Sequence, residues 1–208
     1  SPTPAPSLSG MNIGTCKGAI LAGLMALAGC DVGGGATSAP LRQAAMANGA
    51  LTLVAPEGFC IDKRSLKPSF ALLARCDTLG DPQGAYGAPL GLITVSLSTA
   101  PPDAPPITAQ TLEAALSGGT VLDRRETKDA VLLRVQGTAP ARKGLSATYW
   151  RGTGQVGSHL VGLAMYGTAD SGATGPEGGQ VLDRLMQRTR TPAAASVVVA
   201  AQAATATE

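Results

Sequence analysis

Three glycines near the end of the chain have the spacing of a cofactor-binding loop. Gly152, Gly154 and Gly157 match G-x-G-x-x-G, which in dinucleotide-binding proteins holds a pyrophosphate against the first turn of a helix. That chemistry needs a strand before the motif and a helix after it, but the next residues, HLVGLAMY, have the composition of a strand. We therefore expect the glycines to form a hairpin loop, where they supply positive φ angles, and we expect no cofactor.

The only histidine of the chain, His159, follows directly after this motif. A histidine acts as a general base only when a nucleophile or an orienting acid lies beside it. Its neighbour Ser158 points to the opposite face of a strand, and the chain contains no G-x-S-x-G elbow. By alternation His159 shares a face with Val161, Leu163 and Met165. We expect a hydrogen-bonded histidine at the rim of a sheet, and a protein that is not an enzyme.

A thiol stands at the end of an apolar run near the start of the chain. Lys17 supplies one positive charge, and residues 18–29 are all Gly, Ala, Ile, Leu or Met. This run is shorter than the ~20 apolar residues that span a bilayer, and it fits the hydrophobic region of a signal peptide. Its end, Leu27-Ala28-Gly29-Cys30, resembles the bacterial lipobox. The resemblance implies that the Cys30 thiol is diacylated and that Cys30 becomes the mature N-terminus.

This resemblance sets expectations for processing and localisation. Residues 11–29 are the signal peptide, and residues 1–10 do not fit in front of it, so we expect a non-native leader there. The mature protein is then lipid-anchored in the bacterial cell envelope and faces the periplasm. Asp31 resembles the retention signal of enterobacterial lipoproteins, which favours the inner membrane over the outer one.

The cysteines that remain after processing predict one disulfide. Cys16 leaves with the signal peptide and Cys30 carries lipid, so Cys60 and Cys76 are two thiols in an oxidising compartment. Closing a loop of about 16 residues stabilises a fold by about 3 kcal/mol in the chain-entropy model. A metal or redox pair is the alternative, but the chain has no C-x-x-C and its histidine is distant in sequence.

The charges exclude one class of partner and suggest another. The chain has 16 basic and 14 acidic residues, a balance that predicts no nucleic-acid groove. A possible contact for an anionic lipid headgroup or an acidic partner lies around the expected disulfide, at Lys63, Arg64, Lys67 and Arg75. Acidic residues are interleaved with these four, at Glu57, Asp62 and Asp77. A solvated loop of mixed charge is therefore the favoured interpretation.

Hydrophobic periodicity predicts an α+β fold, an antiparallel sheet with packed helices, over residues 49–190. A flexible tether over residues 30–48 precedes it, and a disordered Ala-rich tail over 191–208 follows it. The expected strands are 51–56, 59–61, 91–99, two hairpins within 120–137 and 145–167, and the ambiguous stretch 69–76. The expected helices begin at the N-cap Thr108 and at Glu177, and we expect Trp150 in the core.

The order of these elements resembles the PsbP-like α/β/α sandwich family. The resemblance covers residues 50–190 and includes a late long hairpin followed by a C-terminal helix. It implies a non-enzymatic accessory protein that docks on a membrane complex. We accordingly expect a lipoprotein that contacts the membrane through its N-terminal lipid and binds an unknown envelope protein. The alternatives are a small ligand-binding or enzymatic envelope protein, whose site the sequence does not reveal, and a purely structural envelope component.

Overall fold

The computed structural model describes residues 39–103 and 105–192. The strands are β1 (Gln43–Met46), β2 (Leu51–Val54), β3 (Phe59–Ile61), β4 (Phe70–Arg75), β5 (Gly91–Thr99), β6 (Thr120–Glu126), β7 (Val131–Gln136), β8 (Thr148–Val156) and β9 (His159–Gly167). The helices are α1 (Ala109–Ala114) and α2 (Pro176–Arg188). Seven strands form one antiparallel sheet in the order β3-β4-β5-β9-β8-β7-β6, and β1 pairs with β2 in a separate hairpin. The predicted α+β class is confirmed.

Local sequence signals account for the helix ends. Thr108 is the N-cap of α1, and its hydroxyl accepts a hydrogen bond from the Thr111 backbone N–H in a reciprocal capping box. Pro176 starts α2, where its missing N–H is not needed, and the four residues predicted on the inner face of this helix are buried: Val181, Leu182, Leu185 and Met186. Among the described residues, no helix combines the length and the apolar character needed to cross a membrane.

The domain begins earlier than the sequence predicted. Residues 43–46, assigned to the flexible tether, form strand β1 instead, with Ala44 and Met46 buried in the core. The stretch is rich in alanine and has few large apolar residues, a composition that is typical of a linker. Two buried side chains at alternate positions are enough to fix it against β2, because β1 packs over the main sheet as half of a hairpin.

The glycine motif also differs from its predicted structure. Strand β8 runs through Gly152 and Gly154 to Val156, and only Gly157 lies in the two-residue turn with a positive φ of 58°. The two earlier glycines lie in close contacts, and the contact at Gly154 is with backbone that cannot move aside. A Cβ atom at Gly152 would overlap Leu132 Cδ2, and one at Gly154 would overlap the Asp129 carbonyl and lie 2.5 Å from Met186 Cε. The motif therefore lies within a strand and lacks a helix N-terminus to receive a phosphate.

The two faces of the large sheet are covered differently. One face packs against the β1-β2 hairpin and α2, and it holds the main core, with Ile93, Leu163 and Trp150 among its buried side chains. The opposite face carries a smaller core, in which α1 packs on β7 through Leu133 and Val135. The indole Nε1–H of Trp150 donates a 2.7 Å hydrogen bond to the Gly175 carbonyl, which confirms the core position predicted for this residue.

The two ends of the described chain are tied into this fold by short backbone pairings. The Ile61 N–H donates to the Leu41 carbonyl at 2.8 Å, so the chain enters the fold along β3. At the other end, Thr52 and Arg190 exchange hydrogen bonds of 2.8 and 3.1 Å, which place the residues after α2 beside β2. Strand β6 is one of the two edge strands of the sheet, and a register shift between Val121 and Asp123 interrupts its pairing with β7.

The close approach at Gly154 can be tested by substitution. We expect Gly154→Ala to lower the free energy of unfolding by about 2 kcal/mol, because the added methyl group meets a backbone carbonyl that cannot move aside. Gly175→Ala is the matched control, since the nearest atom to its added Cβ is 3.5 Å away. Urea denaturation of both variants measures the difference. Equal stability of the two variants would contradict the packing role.

Candidate docking surface

One half of the smaller-core face has no helix packed on it within the described residues. This open face is formed by the outward side chains of β4, β5 and β9, namely Phe70, Leu72, Leu92, Thr94, Ser96 and Leu160. Its apolar members are half-buried and belong to neither core cluster. Each of them presents part of its surface to solvent.

The pairing register aligns these side chains in rows across the sheet. Leu72 lies opposite Thr94, which lies opposite Ala164 on β9. In the next row Phe70 faces Ser96, whose hydroxyl lies 3.4 Å from the Gly162 carbonyl. Small residues on β9 therefore leave the middle of the open face flat, while leucine, phenylalanine and hydroxyl groups supply apolar contact and hydrogen bonding.

A groove continues the open face toward α1. Tyr166 pairs with Leu92 across β5 and β9, and its ring stacks on Tyr149 with 5.5 Å between centroids and 25° between planes. The two rings line a groove of about 320 Å³ together with Arg151, the C-terminal part of α1 and the loop around residues 137–141. The open face and this tyrosine groove thus form one surface from β4 to α1, which we call the docking surface.

The docking surface is almost uncharged. Among the groove-lining residues and the six side chains of the open face, Arg151 is the charged one. The nearby Glu113 of α1 is held by Arg124 of β6 at 2.6 Å. An apolar face with hydroxyls, two tyrosines and one arginine has the composition of a protein-binding surface, because aromatic and arginine side chains are enriched in interface centres.

His159 is placed at the rim of the sheet, at the end of β9. Its Nδ1 is 3.5 Å from the Ser158 hydroxyl, and it lines a hollow of about 230 Å³ with Asn48, Ser98 and Thr99 among its neighbours. The residues that line this hollow, all within the described part of the chain, include no aspartate or glutamate. The rim position matches the prediction, but the prediction that Ser158 points away from His159 was wrong, because Ser158 lies in the turn before β9.

The predicted disulfide is present. Cys60 in β3 and Cys76 directly after β4 are bonded, with their Cα atoms 4.9 Å apart, and both residues are fully buried. The Asp81 carboxylate lies within 4.8 Å of the two sulfurs, a grouping that resembles a metal site. Because the sulfurs are bonded to each other, they are not available as thiolate ligands.

Two of the four basic residues around the disulfide have acidic partners close by in sequence. Arg64 Nε lies 3.1 Å from Asp62, and Arg75 Nη2 lies 2.5 Å from Asp77. The hydrogen bond from Arg64 lowers the pKa of Asp62, and the bond from Arg75 lowers the pKa of Asp77. Lys63 and Lys67 are exposed, and Lys67 pairs with Phe70 at the start of β4, at the opposite end of this strand from Arg75. Whether the group contacts an anionic partner stays a prediction.

The sequence did not reveal the docking surface, and one cause is register. Tyr149 and Tyr166 are 17 positions apart, and only the alignment of β8 with β9 stacks their rings. Alternation along each strand was available as a signal, but it does not say which half of a sheet face a helix will cover. The ion pair between Arg42 and Asp81, at 2.9 Å, was likewise missed because it joins segments 39 residues apart.

Several predicted features lie outside the described residues. These are the leader, the signal peptide, the lipidated Cys30, Asp31 and the part of the tail that follows residue 192.

Comparison with known proteins gives a fold-level likeness. No family model and no curated protein matches the chain. Among solved structures, it is similar to a mutant of the protein Mog1, at 12% identity and TM-score 0.48, covering 72% of this chain and 94% of that one. It is also similar to cyanobacterial PsbP (CyanoP) from Synechocystis sp. PCC 6803, at 12% identity and TM-score 0.41, covering 76% and 96%. At these values neither similarity identifies a partner or an activity.

Removal of the disulfide should affect stability alone. We expect the double variant Cys60→Ala, Cys76→Ala to lose about 2–4 kcal/mol of unfolding free energy, which lowers the melting temperature by several degrees. Calorimetry measures the loss. Labelling of the native, unreduced protein with a thiol reagent should modify neither cysteine. Stoichiometric modification of both would contradict the bond and restore the reactive-thiol interpretation.

Proposed function

We propose that this protein is a lipid-anchored accessory lipoprotein of the bacterial cell envelope that acts through protein–protein contacts. In this proposal the lipid on Cys30 holds the protein on the periplasmic side of a membrane, with the inner membrane favoured by Asp31. The folded domain binds an envelope protein through the docking surface.

The docking surface is the observation that carries the proposal. A flat sheet face with half-buried apolar side chains is suited to a macromolecule, because a small ligand is normally enclosed by a concave pocket. The face also joins the tyrosine groove without a break, so a partner can insert one side chain between α1 and the stacked rings while it lies across the open face. Such a buried anchor within a flat contact is the usual arrangement of a binding hot spot.

Two hollows bear on the alternative, a ligand-binding or enzymatic protein. The hollow beside His159 contains hydroxyls and an amide, Asn48, but no carboxylate among its described lining residues. The tyrosine groove has one charged lining residue, Arg151, and no nearby nucleophile paired with a base among those residues. Neither arrangement supplies the acid, base and nucleophile that a hydrolytic or transfer reaction needs, so docking is the function that these features support best.

A charge placed at the centre of the docking surface should break the partner contact. We expect Ser96→Glu to reduce partner recovery roughly tenfold or more, because a carboxylate would be buried against an apolar partner without a counter-charge. Ser96 is exposed, so the fold should tolerate the substitution. The measurement is crosslinking in intact cells, followed by purification from detergent-solubilised membranes and quantification of each co-purified protein.

Leu122→Glu is the matched control, since Leu122 is 48% exposed on β6 at the far edge of the sheet. Candidate partners are the proteins recovered with the wild type, and we expect the docking partner to be recovered equally well with this control. Loss of recovery in both variants would point to a general charge effect, and retention in both would exclude the docking surface as the contact.

The lipid anchor can be tested separately. We expect Cys30→Ala to abolish membrane attachment and to leave an unprocessed precursor, because lipidation and cleavage both require the thiol. Fractionation of cells and mass spectrometry of the N-terminal peptide check this outcome. A variant that still fractionates with membranes after losing residues 11–29 would contradict the anchor, and co-sedimentation of the wild type with outer-membrane porins would contradict the preference for the inner membrane.

A further inference from the structure

Tyr86 is the most exposed large hydrophobic side chain among the described residues. It lies in the loop between β4 and β5 and is 95% exposed, and Leu90 near the end of the same loop is 50% exposed. The chain contains only three tyrosines, two phenylalanines and one tryptophan, and the other two tyrosines are half-buried in the groove. Single exposed apolar side chains are common on protein surfaces, so the case for a contact depends on where Tyr86 and Leu90 lie in the fold.

The loop that carries Tyr86 is fixed at several points. It starts at Cys76 of the disulfide, and the Asp81 N–H donates to the Cys76 carbonyl at 2.9 Å. Arg42 holds the Asp81 carboxylate at 2.9 Å, and Arg75 donates from Nη1 to the Ala88 carbonyl at 3.4 Å. Tyr86 is therefore presented on a braced loop, so that ordering the loop adds little to the free-energy cost of a contact.

The chain enters the fold at the same end. Pro40 shares a hollow with Lys63, Arg64 and Leu79, and Arg42 reaches from the start of the domain to Asp81 of the Tyr86 loop. The turn at residues 76–79 separates this hollow from a second one that Tyr86 lines. The entry of the chain, two basic residues and the exposed tyrosine thus lie around one turn.

We propose that this entry end rests on the bilayer, with Tyr86 and Leu90 inserted at the level of the lipid headgroups. The inference rests on the lipid anchor of the proposed function and adds a second contact with the same membrane. Tyrosine suits this depth, because its ring is apolar and its hydroxyl stays hydrated. Lys63 is exposed beside the entry point, where anionic headgroups attract basic side chains, whereas the charge of Arg64 is offset by Asp62.

The length of the chain between Cys30 and the fold supports a contact between the entry end and the bilayer. Nine residues lie between Cys30 and Pro40, and the ten Cα–Cα steps that join the two span at most about 35 Å. The entry end therefore stays within about 35 Å of the membrane, whichever way the domain turns. A weak contact is then effectively intramolecular, and one tyrosine with one leucine can keep it formed.

The experiment uses the full lipidated protein with Tyr86→Trp. The protein is reconstituted into vesicles of phosphatidylethanolamine and phosphatidylglycerol, with or without bromine on the acyl chains. Trp150 is completely buried and provides a constant background. We expect the emission of the new indole to shift to the blue on reconstitution and to fall to less than half with brominated lipid. Tyr86 is almost fully exposed, so the substitution should leave the fold unchanged.

Leu122→Trp is the control, because it places an indole on β6 at the opposite edge of the sheet from β3. Its emission should neither shift nor be quenched. If the protein floats with the vesicles but the Tyr86→Trp emission stays unchanged, the membrane contact is overturned and the anchor stands. A blue shift without bromine quenching places Tyr86 against a second protein, which also overturns the contact. If the protein does not float with the vesicles, both the lipid anchor and the membrane contact are contradicted.

Discussion

Helix α2 is held on the sheet by the fit of Trp150 beneath its first turn. Cβ atoms at Gly178 and Gly179 would lie 2.9 Å from carbons of the indole, so only glycine allows the helix backbone to approach so closely. The indole N–H donates to the Gly175 carbonyl just before the helix, and Arg125 of β6 lies 5.9 Å from the ring. This contact brings the buried face of α2 onto β7, β8 and β9, and the main core depends on it.

The uneven covering of the sheet follows from this arrangement. Since α2 and the β1-β2 hairpin both occupy one face, α1, which has six residues, is the only helix on the other face within residues 39–103 and 105–192. A helix of that length covers the β6-β7 end and leaves β4, β5 and β9 open. Small and hydroxyl side chains on these strands make the exposure tolerable, since they contribute less apolar surface than a buried strand face would. The docking surface is thus a consequence of where the helices were placed.

Sequence periodicity predicted most of the elements, but long-range contacts decided the rest. Alternation located β5 at its correct bounds, and the cap at Thr108 located the start of α1. Because glycine is common in turns, the sequence predicts a loop at Gly152 and Gly154. In the structure both lie in a strand, and glycine stands there because β7, the Asp129 turn and α2 pack closely against it. The disulfide between Cys60 and Cys76 could be predicted by elimination, because the other two cysteines were assigned to the signal peptide and the lipid. The stacking of Tyr149 on Tyr166 and the ion pair of Arg42 with Asp81 could be seen only in the tertiary fold.

The entry of the chain also determines how the domain responds to mechanical load. In the proposed function the chain is anchored by a lipid on Cys30, and a partner that moves relative to the membrane would pull on the tether. That force first reaches Leu41, bonded to Ile61, and Arg42, which holds Ala55 through its carbonyl and Asp81 through its side chain. Two of these three attachment points lie on segments that the Cys60–Cys76 bond links covalently. Tension is therefore shared between β3 and the loop after β4, and the cross-link limits how far the strained strands can separate.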